Sequence, residues 1–268
     1  MTHDPDQDGI DARVQAYYGG EFAEASRLTT RSAQGPLEHE RTQQLVRAVV
    51  PPGSRILDVG GATGIHAAAL AAAGYDVRLL DPVPAQVEAA RAHGTFAADV
   101  GDARDLPFAD ARYDAALLLG PLYHLGSRAD RLRSLTEARR VVRPRGHVFA
   151  AAIPRMTHHA SLTLTRDSPH PYPAAWVALL EHGTPDPSAR FPGAHFHTGE
   201  ELEAELVDAG LEDVRVVGIE GPAGLALEVL DEPADEVYDA ALTLARAVCD
   251  VPGIRDLSNH LLGIGRVR

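Results

Sequence analysis

The sequence predicts an α/β fold, a mostly parallel sheet with helices on both faces. Two observations carry that prediction. Short apolar runs of strand-forming residues alternate with longer segments of helical periodicity. One stretch, Arg55-Ile-Leu-Asp-Val-Gly-Gly-Ala-Thr-Gly-Ile65, also joins a buried strand to a helix through a glycine turn. A third observation sets the scale: 268 residues with 45% hydrophobic content supply one α/β core with insertions, or at most two small domains.

Residues 1–9 are polar and acidic, with proline and glycine, and read as disordered. A helical pattern follows from Asp11 to Leu28, broken near Gly19-Gly20. It holds Tyr17 and Tyr18, conspicuous in a chain with 5% aromatics; they either reach a ligand or anchor the segment. Glu38 to Val50 is a clearer helix, with Leu45, Val46 and Val49 on one side and Pro51-Pro52-Gly53 at its end. Ile56, Leu57 and Val59 make the first strand. Gly60, Gly61 and Gly64 open backbone angles closed to other residues and let a ligand approach the main chain. The alanine-rich run from His66 to Ala73 is a helix stopped by Gly74.

Tyr75 to Leu80 is the second strand, ending at Asp81-Pro82. Asp81 stands about twenty residues after the glycine turn, where an α/β nucleotide site puts the carboxylate that accepts ribose hydroxyls. Pro84 to His93 is the next helix, with proline in its first turn. Thr95 to Ala98 begins the third strand and leads into Asp99-Val-Gly-Asp-Ala-Arg-Asp-Leu-Pro-Phe108, in which Asp99, Arg104 and Asp105 read as solvated loop charges. Tyr113 to Leu119 is a buried fourth strand opening into Gly120-Pro-Leu-Tyr-His-Leu125. Arg128 to Val142 is an amphipathic helix, and His147 to Ile153 a fifth strand. Pro154 to Ala194 breaks the alternation. Rich in proline and carrying Trp176, His158, His159 and His170, it is too long for a plain connection and reads as a lid or binding loop. Thr198 and Glu201 form a capping box opening a helix that ends at Gly210. Leu211 to Ile219 and His260 to Val267 are the last two strands; residues 220–257 between them, with a helix from Ala234 to Val248, read as a second piece of cap.

The net charge is −13, and every basic residue is an arginine. An acidic chain without a basic run argues against nucleic acid as main partner but leaves a cationic small molecule open. The sole cysteine, Cys249, has no intrachain partner and reads as a small apolar residue, which fits a reducing cytoplasm. The first residues lack the apolar core of a signal peptide, and no apolar run reaches the roughly twenty residues of a membrane span. The expectation is a cytoplasmic protein without a membrane partner; its oligomeric state is left open.

Asp58, Gly60, Ala62 and Gly64 fit the pattern acidic-x-G-x-G-x-G, with alanine for the middle glycine. The dinucleotide fingerprint G-x-G-x-x-G/A would instead need a small residue where Ile65 stands. The first pattern resembles motif I of the class I S-adenosylmethionine (SAM) methyltransferases, and an acidic strand end suits SAM's ammonium and sulfonium. Gly101-Asp-Ala-x-x-Leu-Pro-Phe108 resembles that family's adenine-binding turn, and Arg139 to Gly146 resembles its R-x-L-K-P-G-G turn before strand five. The resemblance covers about residues 40–153, and 198–219 and 258–268 more loosely. It is strongest to bacterial small-molecule methyltransferases, including those of quinone and antibiotic pathways.

The resemblance implies a Rossmann-like, seven-stranded, mostly parallel sheet with an antiparallel last strand and cap insertions. It also implies SAM as cofactor. An N-terminal arm, 1–36, would precede a SAM-binding domain, 37–268, whose core is 37–153, 198–219 and 258–268 and whose caps are 154–197 and 220–257. Implied cofactor residues are Asp58, Gly60, Gly61, Ala62 and Gly64 at the turn, Asp81 and Pro82 at the ribose, and Asp102 and Ala103 at the adenine. Leu119 and Gly120 would face the methyl, and Tyr18 would come from the arm. Methyl transfer to oxygen or nitrogen of a small molecule, in specialised metabolism, is the expected function. Alternatives are a SAM-binding protein that does not methylate, or an NAD(P) oxidoreductase, which would leave Asp102 without a role. Amino-methylating enzymes of nucleic acids carry Asn/Asp-Pro-Pro-Tyr after strand four. Here Gly120-Pro121-Leu122-Tyr123 lacks the polar acceptor, which counts against a nucleobase or amide substrate.

His124 and Tyr123 are the catalytic candidates. A neutral imidazole is a fit base, although His124 could equally orient substrate or serve the structure, and Tyr123 could form the pocket wall. No metal is expected. His195 and His197 can share one side of an extended segment, but no third ligand has recognisable spacing. Ile153 is followed by Pro154 and Arg155, where metal-dependent catechol methyltransferases need acids.

Overall fold

The strand β1 (Arg55–Val59) pairs in parallel with β2 (Asp76–Asp81) on one side and β4 (Tyr113–Leu118) on the other. With β3 (Ala97–Val100), β5 (Val142–Ala152), β6 (Glu212–Gly218) and β7 (Leu261–Arg266) they form a seven-stranded sheet in the order β3-β2-β1-β4-β5-β7-β6. The computed structural model describes residues 6–21, 24–164, 173–186, 189–230 and 234–268. β7 runs antiparallel to both β5 and β6, as expected. The strand order reverses between β1 and β4, and a crevice forms at the carboxyl ends of strands at such a switch point.

Alternate residues of the strands feed two apolar layers. Leu57, Val59, Leu80, Leu118 and Val148 pack under α6 (Arg128–Val141) and α9 (Gly199–Asp208). Ile56, Leu79, Leu117 and Phe149 pack under α3 (Gln34–Arg47), α4 (Ile65–Ala72) and α5 (Pro84–Arg91). Two glycines let α9 and the turn after it approach the sheet. A Cβ at Gly263 would lie 2.2 Å from Leu206, and one at Gly265 would lie 2.8 Å from Leu211. α9 carries the predicted capping box, Thr198 with Glu201.

Several boundaries differ from the sequence expectation. Residues 7–9 are helical, not disordered: α1 spans Gln7–Ala16, and the Asp6 carboxylate caps it by accepting from the Gly9 N–H. Residues 1–5 lie outside the described residues. α1 passes into a π-helical turn, Tyr17–Glu21, near the predicted break, followed by α2 (Glu24–Arg27). β3 starts two residues later than predicted and takes in Asp99, which bonds Arg78 of β2 at 2.7 Å instead of being a solvated loop charge.

The first insertion folds as α7 (Arg155–Leu164) and α8 (Ala174–His182); its His170 lies outside the described residues. The second holds α10 (Gly224–Glu228) and α11 (Asp235–Val248). Leu227, Leu242 and Tyr238 pack on Leu37 of α3, and the Tyr238 hydroxyl donates to Glu40. This insertion therefore braces α3 rather than roofing the crevice. Among the described residues, no helix is long and apolar enough to cross a membrane.

Candidate active site

The turn after β1 is shaped by backbone angles and by two carboxylates. Gly60, Ala62 and Gly64 have φ of +70°, +48° and +81°. Ala62 thus occupies a left-handed conformation that costs a residue with a Cβ about 1 kcal/mol. Asp81, at the end of β2, holds the turn. One of its oxygens accepts from the Ala62 N–H and the other from the Val83 N–H, both at 2.9 Å. Gly61 makes room for Asp58: a Cβ there would stand 2.7 Å from the Asp58 carboxylate and 2.6 Å from Leu79.

These residues wall an open cleft at the carboxyl ends of β1, β2 and β4. Of the fourteen residues singled out from the sequence, thirteen line it. The exception is Gly64, whose missing Cβ would lie 2.5 Å from Phe96, so it serves helix packing. Asp58 is 1% exposed, and neither of its oxygens has a hydrogen-bond partner among the described residues. Burial, and secondly the charge of Asp81, push its pKa up to about 7. A buried carboxylate without compensation is costly, and this one faces a cleft at the N-terminus of α4, a region that also favours anions.

The loop after β3 holds a surprise at Arg104, which the sequence marks as a solvated charge. Its guanidinium and backbone N–H bond the Asp102 carboxylate at 2.5–3.1 Å, and it reaches Asp11 of α1 at 2.7 Å. Burial raises the Asp102 pKa, but the Arg104 hydrogen bonds outweigh it and keep the carboxyl below its usual range.

The arm crosses the cleft and is bonded at both rims. On the adenine-loop side Gln15 donates to the Pro82 carbonyl at 2.7 Å, and Gln86 donates to the Tyr18 carbonyl at 2.5 Å. On the opposite side Gln7 donates to the His124 carbonyl at 3.0 Å and accepts from the Gly126 N–H at 2.9 Å, while Arg13 donates to the Ala189 carbonyl at 2.7 Å. The half-buried His124 imidazole donates from Nδ1 to the Pro192 carbonyl at 2.9 Å. Its Nε2 is then a lone pair, which accepts from the Tyr18 hydroxyl at 3.3 Å. Desolvation beneath the arm lowers its pKa to about 4, against the partial opposition of the Pro192 bond. The Tyr123 hydroxyl donates to the Leu119 carbonyl at 3.2 Å, and its ring packs with Leu179 and Phe196 of the first insertion. That insertion therefore supports Tyr123 and His124 from behind. Among the described residues, none of 154–257 lines the cleft.

Sequence reasoning missed Asp11, Arg27, His66 and Arg104 on this wall. Asp11 and Arg104 meet across 93 residues, and His66 is met by Gln43 of α3. His195 and His197 have ring centres 4.5 Å apart but serve different carboxylates, Glu201 and Glu205. Glu38, Glu220 and His260 bring three ligand-type atoms within 4.8 Å of one another. They are already paired, however: His260 donates to Glu220 at 2.6 Å, and Arg27 donates to Glu38 at 2.7 Å.

A family model described as a methyltransferase domain matches residues 57–150. An O-methyltransferase of Aspergillus nomiae is 32% identical over 183 residues, 65% of this chain and 71% of that one. The ubiquinone biosynthesis O-methyltransferase of Azorhizobium caulinodans is 28% identical over 172 residues, 62% of each chain. Among solved structures, a SAM-dependent methyltransferase of Thermotoga maritima, described as a possible histamine N-methyltransferase, superposes with a TM-score of 0.62. It shares 19% identity over 96% of this chain and 99% of that one.

Proposed function

The chain belongs to the class I SAM-dependent methyltransferases, and we propose that it methylates an oxygen or nitrogen of a small molecule in specialised metabolism. The cleft fits the cofactor. Asp58 is the observation that carries the reading: a buried carboxylate with no hydrogen-bond partner among the described residues, beside a helix N-terminus, would be satisfied by SAM's ammonium. Asp81, oriented by two backbone N–H groups, would accept the two ribose hydroxyls. Asp102 would have to share its oxygens between Arg104 and the adenine amino group.

SAM supplies an activated methyl group on a sulfonium, so the chain's own work is binding, orientation and exclusion of water. The arm, bonded at both rims, would shield the cleft. Tyr18, Tyr123 and His124 bound the space beyond Leu119 and Gly120. An arm closed over this space suits a small acceptor rather than a polymer. The Pro192 bond sets the His124 tautomer, so Nε2 can accept from an acceptor hydroxyl or amine in place of Tyr18. With its pKa lowered to about 4, this imidazole is a weak base. That favours orienting the acceptor over removing its proton. The names of the two O-methyltransferase relatives support an oxygen acceptor.

The test is S-adenosylhomocysteine formation from SAM with panels of phenols, hydroxyquinones and amines, against protein and nucleic-acid substrates. Turnover with a small molecule is expected. Turnover confined to macromolecules, or none despite SAM binding, would refute the reading.

A further inference from the structure

The turn after β4 carries much of the wall on which the acceptor would stand, with Pro121, Tyr123, His124 and Leu125 all on the cleft. Pro121–His124 is a single turn of 3-10 helix, too short to fix itself. Its place is set from outside. The Tyr123 carbonyl accepts from the Ala194 N–H at 2.8 Å, and the His124 carbonyl accepts from Gln7 at 3.0 Å. The next two carbonyls, Leu125 and Gly126, both accept from Nη1 of Arg131, at 3.0 and 2.9 Å. Arg131 lies on α6, and its side chain is 4% exposed. Its other edge, Nε and Nη2, bonds the Glu205 carboxylate of α9 at 2.8–3.1 Å. Glu205 in turn accepts from Nε2 of His197 at 3.2 Å, and the His197 backbone N–H donates to the Ile153 carbonyl, just past β5, at 3.0 Å.

We infer that Arg131 is a positioning residue for methyl transfer: its guanidinium ties the turn bearing Tyr123 and His124 to α9 and to the end of β5, and so fixes where the acceptor meets the methyl. The inference rests on the acceptor site proposed above, beside Tyr123 and His124. It adds to that site a residue that does not itself line the cleft.

The chemistry of arginine suits the task. A carbonyl-binding edge and a carboxylate-binding edge on one rigid plane need the five fixed donors of a guanidinium; an ammonium is a point charge on one nitrogen. The buried cation needs a counter-charge, and Glu205 supplies it. Burial raises the Glu205 pKa, but the His197 and Arg131 hydrogen bonds outweigh it and hold the carboxyl at about 2, so the pair is ionised at neutral pH. The fold does not call for the two carbonyl bonds. α6 is seated by Leu135, Ala138 and Val141 in the apolar layer, and the Glu205 bonds alone would join it to α9. What the carbonyl bonds add is precision at the acceptor site, where a misplacement of about 1 Å costs about 100-fold in rate.

NMR of histidine-labelled protein tests this. The His124 imidazole reports how the turn is seated, because burial holds its pKa at about 4. Its signal is assigned by its loss in His124→Asn. The test variant is Arg131→Met with Glu205→Gln, checked for folding by urea denaturation. It strands no charge, keeps an acceptor for His197, and removes one charge of each sign. Asp11, the charged group that acts on His124, is untouched. The His124 pKa should rise from about 4 toward the ordinary 6.5 as the loosened turn admits water. Arg131→Lys keeps the ion pair but offers one nitrogen in place of the fork, and should shift His124 the same way. With an acceptor that turns over in the panel above, kcat should fall about 10- to 100-fold in both variants, while S-adenosylhomocysteine affinity by calorimetry stays within about twofold. Wild-type titration of His124 in the folded variants overturns the inference. So does a loss of S-adenosylhomocysteine affinity as large as the loss of kcat. A wild-type protein that turns over no small molecule sinks the acceptor reading instead, and the His124 titration still reads Arg131.

Discussion

Asp58→Asn should stabilise the ligand-free protein at alkaline pH while weakening its grip on the cofactor. The magnitude follows from the Asp58 environment. Its pKa is about 7 in the fold against an ordinary 3.8. A rise of roughly three units at about 1.4 kcal/mol each sets an upper bound of ~4 kcal/mol for holding the charge above pH 7. The sign is that of a raised acid. Between about pH 4 and pH 7 the folded chain keeps a proton that the unfolded chain has lost, so stability falls as pH climbs through that window. Asparagine removes the charge but leaves a buried amide without a partner, at about 1–3 kcal/mol. The expected net gain is therefore about 1–3 kcal/mol at pH 8, shrinking to nothing near pH 5. Urea unfolding at the two pH values measures it. With S-adenosylhomocysteine present the order should reverse, the variant binding about 10- to 100-fold more weakly by calorimetry. Wild-type affinity should also rise about fivefold from pH 6 to pH 7, following the ionised fraction of Asp58, while the variant stays flat. A ligand-free variant no more stable than wild type at pH 8 would refute the assignment of an uncompensated charge. A flat wild-type profile would refute its role toward the ammonium.

Three other substitutions test neighbouring parts. Asp81→Ala removes the acceptor of the Ala62 and Val83 N–H groups and should weaken S-adenosylhomocysteine binding by about 1.5–3 kcal/mol; unchanged calorimetry in a folded variant would count against the ribose role. His124→Asn should keep most of kcat whereas His124→Ala loses at least about tenfold, with no His124 limb near pH 6.5 in the wild-type profile because its pKa lies near 4. Failure of Asn to rescue would restore the base reading. Arg131→Met leaves the buried Glu205 carboxylate, which Arg131 bonds at 2.8 Å, with His197 at 3.2 Å as its remaining close partner, and urea unfolding should show a loss of about 3 kcal/mol, the lower end for breaking a buried pair.

The core strands were legible because their apolar runs are unmistakable. β1, β4 and the second half of β5 are buried on both faces and need no partner to be recognised, whereas the exposed Arg143, Pro144 and Arg145 hide that β5 starts at Val142, five residues before the expected His147. β3 was misplaced by two residues because an edge strand of Ala97, Ala98, Asp99 and Val100 has no apolar pattern to read. The glycine turn, Asp81 and the Asp102 loop were legible as local spacings. Arg104 was not: it bonds Asp102 two residues back, but the Asp11 carboxylate that also holds it lies 93 residues away. The same holds for Arg27 and His66, whose partners Glu38 and Gln43 lie on α3. That insertion shows the limit of pattern reading. The apolar face of α11 announces that it covers something, and only the fold reveals that it covers α3. Residues 7–9 look disordered by composition, but the Asp6 cap and the Gln7 bonds to the His124 carbonyl and the Gly126 N–H decide otherwise.

The way the arm is attached bears on how a closed cleft can exchange its ligands. Val14 is the buried residue of α1, so little apolar surface holds this helix down. Its grip is mostly polar: Gln7, Arg13, Gln15 and the Asp11–Arg104 pair, each bonded to a rim. Such bonds are worth only about 0.5–1.5 kcal/mol net, because water replaces them when they open. An arm held in this way opens at a cost of a few kcal/mol, which suits a segment that must release product on every turnover. A ligand contact made only in the closed state then shifts the balance by its own binding energy. The arm is therefore closed for most of the time without ligand, opens often enough to exchange one, and is held more firmly by any ligand it touches.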